Sequence, residues 1–98
     1  MAKRAKKSPV RANQALQIDR TQTGVRIEKR ILKVLKALAE YLDISLGDLL
    51  EGIVLHAFEG KAPFRKSTLD VVGGLKAIYG LDLDASHAHR LIEKEAQP

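Results

Sequence analysis

The sequence predicts a mostly α-helical fold that a second copy completes. Each chain supplies one short N-terminal strand, two amphipathic helices and a C-terminal helical extension. Three observations predict it. Residues 21–27 alternate in polarity; two runs with helical apolar spacing follow, separated by a tight polar break; and no second strand of comparable quality exists to pair with the first. A lone strand leaves its backbone donors and acceptors unpaired, so the simplest partner is the same strand of a second chain about a two-fold axis. The 98 residues divide into a flexible basic arm over 1–20, a central unit over 21–59 and an extension over 60–98.

In the strand, Thr21, Thr23, Val25 and Ile27 occupy one parity, and Gln22, Gly24 and Arg26 the other. Threonine, valine and isoleucine suit a strand by type. The first helix is expected over 28–42, where Ile31, Leu35, Leu38 and Leu42 fall on one stripe. Lys29, Lys33 and Lys36 form a second, polar stripe at the same spacing. Ser45 is the expected N-cap of a second helix over 46–58, with Asp48 in its first turn. Leu46, Leu49, Leu50, Ile53, Val54 and Ala57 give that helix its stripe, and Leu55 and Phe58 widen it beyond half the circumference. Such a helix calls for cover on several sides, which points to a dimer core of Val25, Ile27, Ile31, Leu35, Leu38, Leu49, Leu50, Ile53 and Val54. Gly52 costs roughly 1 kcal/mol relative to alanine inside a helix. The sequence reading gives it a role in the close crossing of two symmetry-related second helices.

Strand, helix, short turn and helix, with V-R-I leading into the first helix and A-E-x-L-D-I-S-L at the turn, resembles the ribbon-helix-helix (Arc/MetJ-type) family of bacterial DNA-binding proteins. The resemblance covers about 40 of the 98 residues. It implies an antiparallel intersubunit ribbon in the DNA major groove, with Gln22, Gly24 and Arg26 on the base-reading face. It also implies a phosphate at the backbone amides of Ser45, Leu46 and Gly47. Two positions depart from the family pattern. Glu28 stands where proline often opens the first helix, and Gly24 stands at a reading position that is usually polar.

Physical chemistry supports the same reading beside the resemblance. A major groove admits a two-stranded ribbon; arginine suits a bidentate contact with guanine, and glutamine one with adenine. The start of a helix offers free N–H groups to an anion. Lys29 and Arg30 lie in the first turn of a helix, where the dipole disfavours positive charge, so a phosphate is the expected compensation. A helix-turn-helix is the rival arrangement. Its recognition helix would carry Asp48, Glu51, His56 and Glu59, mostly acidic and without a strong base-edge donor.

Charge distribution extends the expectation to the arm. Residues 1–20 carry Lys3, Arg4, Lys6, Lys7, Arg11 and Arg20 against Asp19, a net +5, whereas residues 21–98 carry 11 basic and 11 acidic side chains. The arm contains Pro9 and shows no clear period, as expected of a segment disordered when free. Placed before a DNA-reading strand, it is expected to follow the phosphate backbone or an adjacent minor groove.

Beyond the second helix, Gly60 to Pro63 is a stop signal. Ser67 to Asp70 has the spacing of a capped start, predicting a third helix over 68–79 ended by Gly80, with Leu69, Val72, Leu75, Ala77 and Ile78 available for packing. Asp84 is the expected N-cap of a final helix over 85–95. No cysteine is present, His87 and His89 point to different faces of a helix, and no glycine-rich phosphate loop, nucleophile motif or paired-carboxylate pattern occurs. Neither an enzyme, a metal site nor a cofactor is expected. Without a long apolar run or signal-peptide pattern, the expected location is cytoplasmic, with the nucleoid.

These observations predict a homodimer that binds double-stranded DNA sequence-specifically as a transcriptional repressor, with pairs of dimers on adjacent sites as one option. Two alternatives come with the resemblance. One is an antitoxin-type protein whose residues 61–98 bind a partner protein. The other is an architectural or plasmid-segregation DNA-binding protein, in which a basic arm is common.

Overall fold

The computed structural model describes residues 15–95. Within them the chain forms α1 (Lys29–Leu42), α2 (Leu46–Phe58) and α3 (Lys66–Tyr79), followed by one 3₁₀ turn at Ala85–His87.

Local chemistry sets the helix ends. Glu28 is the N-cap of α1: its carboxylate accepts from the backbone N–H groups of Arg30 and Ile31, each at 2.9 Å. A carboxylate here satisfies two of the orphan donors and faces the positive end of the helix dipole. This accounts for a glutamate at the start of α1. At the other end, Asp43 adopts the left-handed conformation (φ 60°, ψ 43°) that aspartate tolerates better than most residues. The amides of Asp43 and Ile44 then bond back to Glu40 and Ala39 carbonyls at 3.1 and 3.0 Å. Only Asp43 to Ser45 separate α1 from α2, and Ser45 caps α2 by accepting from the Asp48 amide at 3.0 Å. Glycines in the left-handed conformation end the other two helices: Gly60 follows α2, and Gly80 caps α3.

α1 is the central element, and both α2 and α3 pack on it. Leu38 and Ala39 of α1 and Leu49 of α2 are buried together. Around them pack Leu35, Leu42, Ile53 and Phe64, with Val71, Val72 and Leu75 of α3. Val34 is the fourth buried apolar residue among those described. One core thus draws on residues from both sides of Gly60.

Three expectations are corrected. The first concerns fold class: no strand forms among the described residues, and residues 15–28 run without regular structure into α1. Alternation carries meaning only when one face meets a core. Here residues on both parities from Thr21 to Arg26 are exposed, Val25 to 73%, and only Ile27 and Glu28 are partly covered. β-branched residues favour an extended backbone, but a ladder needs a partner edge, and the rest of the described chain offers none. The expected ribbon is therefore not part of the fold, which is three-helical.

The second correction concerns the final helix. Asp84 does cap, accepting from the Ser86 amide at 2.9 Å, while His87 Nδ1 accepts from the Asp84 amide at 3.0 Å. The capping box nevertheless opens a single 3₁₀ turn, because Ala88 is extended and His89 has φ 67°. Leu91 and Ile92, the large apolar residues a helix over 85–95 would need to bury, are exposed, Ile92 to 93%. A helix this short needs a buried face to stand. The third correction is to the start of α3, at Lys66 instead of Thr68. Arg65 occupies the cap position without a side-chain cap, and Lys66 pairs with Asp70 at 2.7 Å across the first turn. Leu69 and Ile78 face solvent.

Candidate nucleic-acid interface

The residues expected to touch DNA bases all lie on the segment without regular structure before α1. Gln22, Gly24 and Arg26 are exposed. The segment is tied at two points, one to α2 and one to the irregular C-terminal run. Arg20 donates from Nε and Nη2 to the two carboxylate oxygens of Glu51 on α2, both at 2.8 Å. Arg26 donates from Nε to Glu93 Oε1 at 3.0 Å and from Nη2 to Glu93 Oε2. Both are bidentate fork contacts, the geometry that a guanidinium also uses toward a phosphate or a guanine edge. The hydrogen bond from each arginine, followed by its charge, holds the Glu51 and Glu93 carboxyls below the usual carboxylate range.

Arg30, the other arginine expected at a phosphate, is compensated within the chain. Its Nε meets Glu28 Oε2 at 3.0 Å, and its Nη1 donates to the Gly80 carbonyl and to Asp82 Oδ1, each at 3.0 Å. Arg30 thus joins the start of α1 to the C-terminal end of α3, where unsatisfied carbonyls and the helix dipole favour a cation. Lys29, Lys33 and Lys36 are exposed, and among the described residues no ion pair involves them.

At the start of α2, the Ser45 side chain takes the Asp48 amide and leaves those of Leu46 and Gly47 as the first two of the helix, without intrahelical acceptors. A Cβ at Gly47 would meet only Ser45 Oγ, at 3.9 Å, so packing within the chain does not demand glycine there. Lys3, Arg4, Lys6, Lys7 and Arg11 lie outside the described residues.

The residues assigned to a dimer core divide into two groups. Leu38 and Leu49 are buried and Ile31, Leu35, Leu50 and Ile53 half-buried in the single chain. Val25 and Val54 are exposed, and Ile27 is half-buried. On α2 the outward apolar surface comprises Val54, Leu55 and Phe58, with Phe58 81% exposed. Gly52 lies opposite Val54, two residues on, but beside Leu55, three residues on. Gly52 also lines a groove of about 240 Å³ with Leu42, Ile44, Ile53, Pro63 and Phe64. Toward the outward surface its neighbour is Leu55, and a Cβ at Gly52 would meet nothing within 4 Å in the single chain.

The carboxylate partners Glu51, Glu93 and Asp82 escaped the sequence reading. They pair with arginines 31, 67 and 52 positions away, and no local spacing signals such a contact. Among the described residues, no three His, Asp or Glu side chains converge as a metal site would require, and no helix is long and apolar enough to cross a membrane.

No protein-family model, curated protein or solved structure matches the chain.

Proposed function

We propose that this protein binds double-stranded DNA as a homodimer and acts as a repressor-type regulator akin to the ribbon-helix-helix class in its capped helix pair. Its DNA-facing element is the segment leading into α1, preceded in sequence by the basic arm. The observation that carries the reading is the placement of charge. The whole net charge of +5 sits in residues 1–20, and that arm leads directly into a segment on which Gln22 and Arg26 are exposed. Clustered cations supply the sequence-independent phosphate term, and Arg26 and Gln22 supply base-edge donors. Lys29, and the free amides of Leu46 and Gly47, are further phosphate contacts in this reading.

Dimerisation has its own support. Only Val34, Leu38, Ala39 and Leu49 are buried among the described residues, a small core for a chain that must fold alone. The outward face of α2 carries Val54, Leu55 and Phe58 uncovered. A second copy packed there enlarges the core and makes folding and assembly concentration-linked.

The test is selection of binding sites from random duplexes at two salt concentrations, with wild type and Arg26→Ala. The expected result is a roughly palindromic motif for wild type. Arg26→Ala then binds that site roughly tenfold more weakly and blurs it at one base pair. Steeply salt-dependent binding with no motif would leave only the phosphate term of the arm and favour an architectural protein.

The second reading is an antitoxin-type protein whose C-terminal part binds a partner protein, although Val71, Val72 and Leu75 of α3 pack against the core. In that reading residues 61–98 offer a partner Leu69 and Ile78 of α3 and Leu91 and Ile92 of the run from Ala88 to Glu95, all exposed. Rapid proteolytic loss of this run from the free protein, and its protection by a co-purified protein, would favour that reading.

A further inference from the structure

Glu93 holds both arms of the Arg26 fork, and it comes from the far end of the chain. The run that carries it, from Ala88 to Glu95, has no regular structure beyond a turn at Ala88–His89. Little apolar burial fixes it in place, since Leu91 and Ile92 both face solvent. The Arg26 side chain is itself 84% exposed despite the contact. A carboxylate on this fork uses the two parallel N–H···O bonds that a phosphate or a guanine edge would use. Glu93 and DNA therefore compete for one set of donors.

We propose that the C-terminal segment bearing Glu93 is a built-in competitor that lowers DNA affinity until nucleic acid displaces it from Arg26. The inference rests on the DNA-binding reading and adds a regulatory contact to it. The chain itself supplies the competitor, so its effective concentration is set by the tether and not by the solution. An exposed ion pair is weak, so the segment biases the equilibrium without closing it. Arg20 differs: its partner Glu51 stands on α2, inside a regular helix that also contributes to the core. The C-terminal contact is thus the one that can be released without disturbing the helical body. Any modification or partner that withdraws residues 88–95 would strengthen DNA binding through Arg26.

The experiment uses the full chain as wild type, Glu93→Gln, Arg26→Ala and the double variant. Without DNA, Glu93→Gln is expected to shift the Arg26 Nε–H resonance in nuclear magnetic resonance spectra and speed its exchange with solvent. With a random-sequence duplex and with the selected site, Glu93→Gln is expected to raise affinity roughly two- to fivefold, the range that release of an exposed ion pair allows. In the Arg26→Ala background the same substitution should change nothing. An equal gain in both backgrounds would reduce the effect to net charge and overturn the proposal. So would an unchanged Arg26 resonance, or a freed Arg26 with unaltered affinity while Arg26→Ala still weakens binding. If no form binds either duplex, the DNA-binding reading itself fails, and the competitor with it.

Discussion

α1 and α2 are neighbours of nearly equal length, yet they use their apolar residues differently. α1 buries Val34, Leu38 and Ala39 along one side and turns Lys33, Lys36 and Glu40 outward. α2 is the more apolar helix but buries only Leu49, and leaves Val54, Leu55 and Phe58 in the open. The difference teaches that apolar content measures how many neighbours a helix is built for, while burial measures how many it has. α1 has both of its neighbours within the chain. α2 has α1 and a surplus face, which is the physical basis of the proposed dimer.

The largest expected effect breaks the comparison on the α1 side. Leu38 is 2% exposed at the junction of all three helices. Leu38→Ala should destabilise the fold by about 2–5 kcal/mol, read from denaturant unfolding followed by circular dichroism. A loss as small as that of an exposed leucine such as Leu55 would mean that α1 is not the centre of the core.

A smaller effect sharpens the account of how α1 begins. The hydrogen bond from the Ile31 amide, supported by that from Arg30 and its charge, holds the Glu28 carboxyl below the usual glutamate range. A depressed folded-state pKa contributes stability that is fully present above the unfolded value and lost as pH falls through the folded one. Wild type should therefore lose thermal stability on acidification below the ordinary glutamate range, and Glu28→Gln should lose less across the same window. Parallel pH profiles for the two proteins would remove Glu28 from the capping account.

Much of this architecture was legible because it is encoded locally. The bounds of α2 read from periodicity and from the Ser45 cap coincide with those observed, Leu46–Phe58, and Gly80 ends α3 as the glycine signal indicates. Caps and periodicity act within a few residues, so one chain displays them in full. The alternation over 21–27 misled because a strand is a property of two edges, and one edge alone cannot reveal whether the other exists. The final helix misled for a related reason: Asp84 supplied a start, but among the described residues Leu91 and Ile92 stay exposed and do not sustain the turns after it. The candidate site was the least legible part. Arg20, Arg26 and Arg30 stood out by residue type and position, whereas their carboxylate partners are chosen by how the chain folds back. The sequence reading compensated Arg30 from outside, and the fold compensates it from Glu28, Gly80 and Asp82.

The central claim is that the surplus face of α2 is covered by a second copy, and the most direct measurement is the mass of the full chain in solution by sedimentation equilibrium. The account predicts twice the chain mass of 10.8 kDa for wild type. It predicts a return to the single mass for Phe58→Glu, with helix content retained by circular dichroism. A wild-type mass of 10.8 kDa across the whole accessible concentration range would contradict it.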